Sequence, residues 1–498
     1  MLKLFGGGKP DHPMADAKEM RRLLDQLPEN DALKALEELA HWHESVGVAE
    51  GFRPDARIQL LFSIDDAAQA RLRKLGAEYL TARPSRYQEN RIWTHAYEYY
   101  RRCGHAYGLS VDAVAQGAKG ADAAKPLLPA LAARALRAVA QQVKWLHLRY
   151  GPVHAELWRL LNGLYSFAES RDLLDTLVPA AAGGETTPRR EYLKAVLLDI
   201  SSPDSLLPHE MEAAERLIAE SAATFAMDKK GGPTLTHWID LGEPMPPLRL
   251  AKLPQSAGGL RFFGAGAALA SLQALARRSE TTGMLPAVFK DLAQFEQEAA
   301  IELMQHLVAY WSPTPPERKH PRHAVKSRLS IVHGFEGVLG VLNGAAPGAD
   351  RQTENWVVEN VSAGGFGAMV TPSKADWLKI GELLAMQPDG GNNWIVGMVR
   401  RVSKTSGQEA RVGIETLSRA PHLARFALRG TEQPAILLPP AVSGTGEASI
   451  VLRAGAYVPG QNLESERGGR SFVYMPQVVA ERGDDYDIVR FREMVREA

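Results

Sequence analysis

The residues Ser312 to Glu317, SPTPPE, divide this chain into two parts with different periodicities. Each of the three prolines lacks an N–H and fixes its own backbone torsion, so this segment can neither continue a helix nor enter a central strand. Upstream, apolar residues recur at helical spacing. Downstream they come in short runs punctuated by glycine and asparagine. A chain broken in this way is expected to be α+β and multidomain: a large all-α region, a stiff linker over 312–317, then β structure.

The helical part covers residues 1–311. Ala32 to Val46 places Leu33, Leu36, Leu39 and Ala40 on one stripe, with Asn30 and Asp31 available to cap its start. Similar runs occupy 63–82, 86–106, 123–150, 153–169, 189–198, 208–227, 266–278 and 286–311. No fixed repeat period holds, so a helical bundle is expected and a tetratricopeptide-type solenoid has no support. The segment 228–260 carries GGP, EPMPP and AGG, and is expected as a loose break that could separate two sub-bundles.

After the prolines, KSRLSIVHGF, NWVVENV, GFGAMVT, NWIVGMVRRVS and ARVGIETLS read as strands of a small antiparallel barrel over 318–430. The last part, 431–498, is expected as its own small β-rich unit, a degenerate barrel without a nucleotide site. Asp487 to Arg496 is expected as its closing helix.

The 498 residues carry 58 Lys and Arg against 58 Asp and Glu, which excludes a bulk binder of nucleic-acid polymer or of a membrane surface. The charge is not evenly spread. ERKHPRHAVKSR, Glu317 to Arg328, holds Arg318, Lys319, Arg322, Lys326 and Arg328 against one acid. Arginine offers a planar fork that bridges phosphate oxygens and stacks on bases, although a charge run of this kind is ordinarily a solvated face. A second segment, NVSAGGFG (Asn360 to Gly367), lies between two strand-like runs. Its Asn and Ser can meet a base edge. Gly364 and Gly365 allow a tight turn and close approach of a ligand, and equally suit a plain β-turn.

Together the two segments resemble the PilZ domain, a small β-barrel family that binds the bacterial messenger cyclic di-GMP. The family pattern is R-x-x-x-R, a strand, then D/N-x-S-x-x-G. Arg318-Lys-His-Pro-Arg322 fills the first part and Asn360-Val-Ser362-Ala-Gly-Gly365 the second. VGMVRRVS and ARVGIETLS resemble the closing strands of that barrel. The resemblance covers residues 317–419, a fifth of the chain. The stretch between the motifs is long for the pattern, and NGAAPGAD (Asn343 to Asp350) is expected as a loop insertion. The resemblance implies that Arg318 and Arg322 clamp phosphates and meet guanine, that Asn360 and Ser362 meet the second guanine, and that Gly365 keeps the turn free of a side chain. Lys319 and Gly364 form a second tier. It also implies a cytoplasmic receptor, not an enzyme, with cyclic di-GMP as its ligand and no other cofactor. Its output would pass to a protein partner through the helical region. A nucleotide-independent scaffold built on the same barrel stays open as the alternative.

Other candidates carry less. The apolar part of the N-terminus, Leu2 to Phe5, is too short for a signal peptide, and no run is long enough to span a bilayer, so a soluble chain is expected. The GGGK of Gly6 to Lys9 lacks phosphate-loop spacing, and Phe263-Gly-Ala-Gly266 lacks a third glycine because Leu269 stands there. His41 and His43 flank Trp42 without a third metal ligand. Glu298, Glu302 and His306 share one helix face, ordinarily a solvated one. Trp93, Tyr97, Tyr99 and Tyr100 are expected in the core, though they could line a partner groove. The lone cysteine, Cys103, beside His105, is expected as a packed thiol. No disulfide, metal site or catalytic motif is expected.

Overall fold

The computed structural model describes residues 10–496, apart from 82–85, 252–257, 293–294, 315, 318–319, 345–352, 372–376, 406–408, 429, 440–445 and 468–469. It falls into two compact units, Met1–Pro316 and Glu317–Ala498. Among the described residues, no helix is long and apolar enough to cross a membrane.

The first unit is helical. Its helices are α1 (Ala17–Asp25), α2 (Ala32–Val48), α3 (Pro54–Thr81), α4 (Arg86–Ala115), α5 (Ala121–Ala124), α6 (Leu128–His147), α7 (Ala155–Ser170), α8 (Pro188–Ile200), α9 (Pro208–Ser221), α10 (Ala267–Thr282) and α11 (Gln297–Trp311). Local chemistry sets their starts. The Asp31 carboxylate accepts from Lys34 N at 3.0 Å, and the Thr187 hydroxyl accepts from Arg190 N ahead of Pro188. One apolar core runs from Met14 to Trp311, so the helices form one body and not two sub-bundles.

The segment 228–260 is not a loose break. It contributes to a four-stranded antiparallel sheet of β3 (Ala226–Asp228), β4 (His237–Asp240), β5 (Leu248–Arg249) and β6 (Leu260–Gly264), in the order β3-β6-β4-β5. A short hairpin, β1 (Val178–Pro179) with β2 (Glu185–Thr186), precedes it. Asn162 on α7 ties the sheet to the helices by donating to Asp240 O and Glu243 O, while its own carbonyl accepts from Tyr192. On β5, Arg249 donates to Tyr310 O and Ser312 O, which fixes the end of α11 at the start of the proline segment.

Asp65 is the electrostatic centre of the helical core. It is buried, and it accepts from Tyr99, Tyr107, Arg134 and Arg137. Burial alone would raise its carboxyl, but the nearby charges of Arg137 and Arg134, with the hydrogen bond from Tyr107, hold it below the ordinary aspartate value. His43 contacts Tyr99 at 3.2 Å, and burial pulls its imidazole down to about 4. The aromatic cluster proves to be largely core: Tyr99 and Tyr100 are buried, Trp93 stacks on Tyr97, and Arg149 lies over Trp93. Cys103 is buried, which raises its thiol well above the usual range.

The second unit contains a closed six-stranded antiparallel barrel. Its strands are β7 (His323–His333), β8 (Glu354–Ser362), β9 (Gly365–Val370), β10 (Leu383–Pro388), β11 (Ile395–Lys404) and β12 (Ala410–Ser418). The order is β10-β11-β12-β9-β8-β7, closed by β10 on β7. A short helix, α12 (Phe335–Leu342), fills part of the long stretch between the two motifs, while most of the NGAAPGAD loop lies outside the described residues.

The strands after β12 form a six-stranded sheet: β13 (His422–Leu428), β14 (Thr431–Leu438), β15 (Glu447–Arg453), β16 (Leu463–Arg467), β17 (Arg470–Arg482) and β18 (Tyr486–Arg496), in the order β13-β14-β15-β18-β17-β16. The edge strands β13 and β16 approach each other. Two expectations are corrected here. Asp487 to Arg496 is strand, because Ile488, Val489 and Phe491 occupy a central position between β15 and β17 and pairing on both sides overrides helical spacing. The sheet is also not a separate unit. Val332, Phe335, Val338, Leu383 and Met398 of the barrel side share one core with Ile436, Val451, Tyr486 and Ile488.

Replacing Asp65 by Asn would remove the buried carboxylate to which both Arg137 and Arg134 donate, and should cost the helical unit about 3–5 kcal/mol in chemical denaturation. In the wild-type protein His43 stays neutral when folded but gains a proton near pH 6.5 when unfolded. Stability should therefore fall as pH drops from 6.5 toward about 4, and the depressed Asp65 adds a loss at still lower pH. A melting temperature flat across that range would contradict this assignment.

Candidate functional site

The site is assembled by strand pairing. β7 runs antiparallel to β8 with His323 opposite Val361 and Ala324 opposite Asn360. Arg322 immediately precedes His323, so it continues this register toward Ser362. The described end of the first motif, His320 to Arg322, and the second motif, remote in sequence, thus come to one end of two adjacent strands. Arg322 is exposed and lies in the segment that enters β7. Arg318 and Lys319 lie outside the described residues.

The second motif ends β8 and opens β9. Val361 pairs with Phe366 and Ser362 with Gly365, across a tight turn at Ala363–Gly364. The Ser362 hydroxyl reaches Gly365 O at 3.4 Å. The turn is pinned from outside, since Thr416 N donates to Gly364 O at 2.9 Å and Arg419 donates to Ala363 O at 3.3 Å. A methyl group on Gly364 would come within 3.0 Å of the His320 ring. His320, two residues before Arg322, therefore lies against the same turn.

The glycines have separate duties. A Cβ on Gly365 would sit 1.9 Å from Ile414 O, so only glycine permits β9 to pair with β12 there. At Gly367 a Cβ would sit 2.6 Å from the amide nitrogen of Asn360 and 2.7 Å from its oxygen. The absence of a side chain at 367 is what lets the Asn360 amide lie flat on the outer face of the barrel. Gly367 belongs to neither motif, because its role depends on the pairing of Asn360 with Gly367.

The R-x-x-x-R spacing recurs at Arg425 to Arg429. Arg425 stands within β13, opposite Pro434, and pairs with Glu432 at 3.7 Å. Arg429 lies outside the described residues, and no D/N-x-S-x-x-G follows. The groups considered as metal ligands disperse: His43 is in the core, and His306 contacts Ser201 O at 2.7 Å. Among the described residues no group of three or more His, Cys, Asp and Glu is placed to hold a metal.

Comparison with protein families matches residues 18–230 to the N-terminal domain of the cyclic-di-GMP receptor FimW, and residues 343–422 to its middle PilZ domain. The two matches together cover more than half of the chain. The second contains Asn360 to Gly365 and begins after Arg322, and strands β14–β18 lie beyond both. No curated protein matches the chain. The chain belongs to this family of PilZ-domain cyclic-di-GMP receptors.

Replacing Gly365 by Ala would force the β9–β12 ladder apart, and overpacking of this kind costs about 1–3 kcal/mol. The expected result is a lower midpoint in urea with an unchanged slope; an unchanged midpoint would contradict the contact with Ile414.

Proposed function

We propose that this PilZ-domain receptor binds cyclic di-GMP at the start of β7, with Arg318, Arg322, Asn360 and Ser362 as its contacts, and that Gly364 and Gly365 shape the turn beneath the ligand. The observation that supports this most directly is the register that sets His323, the residue after Arg322, opposite Val361 and Ala324 opposite Asn360. Cyclic di-GMP carries two phosphates and two guanines. Arginine forks suit the phosphate oxygens and the N7 and O6 acceptors of guanine. The Asn360 amide, held flat over Gly367, can both donate to and accept from a base edge. Lys319 adds positive charge to the same segment.

Arg318 and Arg322 follow directly on the proline segment, while Ser312 on its other side is held by Arg249. Residues 313–322 are thus the stretch in which a ligand contact can act on the connection between the two units. Binding at this stretch re-orients the helical unit and changes its interaction with a protein partner. In this reading the chain is a cytoplasmic receptor and not an enzyme, and its signal leaves through the helical unit.

Titration calorimetry should show cyclic di-GMP binding in the wild-type protein. Arg318→Ala and Arg322→Ala should each weaken it roughly 10- to 100-fold, as expected for loss of charge-assisted hydrogen bonds. Undiminished affinity in both variants would rule out the site. Small-angle scattering should change on saturation with ligand, and an unchanged profile would remove the re-orientation while leaving the binding intact.

A further inference from the structure

A row of four paired residues crosses the outer face of the barrel. Asn360 on β8 pairs with Gly367 on β9, Gly367 with Gly413 on β12, and Gly413 with Arg401 on β11. The neighbours Ala368, Val412 and Val402 are buried inside, so alternation sends the row outward. Two glycines in the middle leave this stretch of surface without side chains of its own.

The ends of the row lean inward over those glycines. The Asn360 amide lies on Gly367. The stem of Arg401 lies on Gly413, where a Cβ would come within 3.2 Å of its Cβ, 3.7 Å of its Cγ and 3.8 Å of its Cδ. At about 4.8 Å per strand, Asn360 and Arg401 stand roughly 14 Å apart at the backbone, and Arg401 extends into that gap. Its neighbour takes another course. A bulge between Val399 and Arg401 separates the two arginines, and Arg400 is committed to Glu415 and to both oxygens of Glu481. The outer face of β12 also carries Arg411, which pairs with Glu359 at 3.6 Å, and Glu415.

The geometry points to Arg401 as a further ligand-contacting residue. Its guanidinium, laid toward Asn360 by the glycine at 413, would donate to an acceptor of the cyclic dinucleotide, either a phosphate oxygen or the N7/O6 edge of the guanine that Asn360 meets. This rests on the binding site proposed above. It assigns a role to a strand that neither sequence motif includes, and it explains why side chains are missing at both 367 and 413.

The test is calorimetry with cyclic di-GMP and cyclic di-AMP on wild type, Arg401→Ala, Arg401→Lys, Gly413→Val and the double variant Arg401→Ala/Gly413→Val, with Arg322→Ala alongside. Melting temperature checks that each variant is folded. Arg401→Ala should bind cyclic di-GMP about 10- to 100-fold more weakly. Gly413→Val pushes the Arg401 stem off the row and should lose a similar factor. The double variant should be no worse than Arg401→Ala, because both changes remove one interaction. Recovery by Arg401→Lys assigns the acceptor to a phosphate. No recovery, with preference over cyclic di-AMP reduced, assigns it to the guanine edge. Wild-type affinity in Arg401→Ala, with binding lost in Arg322→Ala, overturns this inference alone. No binding by the wild-type protein overturns the receptor reading and this inference with it.

Discussion

The antiparallel pairing of β7 with β8 is the contact on which the rest of the second unit depends. It closes the barrel on one side, since β7 also pairs with β10. It also sets the register that carries Arg322 to the end of β8 where Asn360 and Ser362 stand. A slip of one residue would turn every side chain of a strand to the other face. Leu329 and Ile331 on β7, and Trp356 and Val358 on β8, prevent that slip by filling the interior. The apolar core thus fixes the position of polar groups on the outside, without touching them.

That barrel is held from behind by the second sheet. The turn between β17 and β18 supplies Asp485, whose carboxylate accepts from Phe335 N at 2.7 Å and caps α12. Tyr486 donates to Gly381 O at 2.5 Å, and Arg400 joins Glu415 on β12 to Glu481 on β17. The shared core and these bonds make one body of the residues after the proline segment. A ligand at the site proposed on β8, β9, β12 and β11 would therefore meet a rigid surface, which lowers the entropic cost of binding.

Much of this was legible in the sequence where the signal is local. Capping at Asp31, the helical stripe of α2, the proline break and the glycine-punctuated strands each depend on residues a few positions apart. The family was legible from two motifs taken as a pair, because their order and residue types are distinctive. What the sequence did not reveal depends on partners far away. Asp487 to Arg496 has residues that suit a helix, and only its place between β15 and β17 makes it a strand. The sheet of β3 to β6 hides in a segment rich in glycine and proline, because its strands are two to five residues long. Gly367 and Gly413 are ordinary strand glycines until pairing shows Asn360 above one and Arg401 above the other.

The central claim is that the end of β7 and the β8–β9 turn form one ligand site. A crystal structure of the full chain with cyclic di-GMP tests it most directly. The account predicts the nucleotide on the outer face of the barrel, in contact with Arg322, Asn360 and Ser362. A nucleotide bound elsewhere, with those three side chains left in solvent, would contradict it.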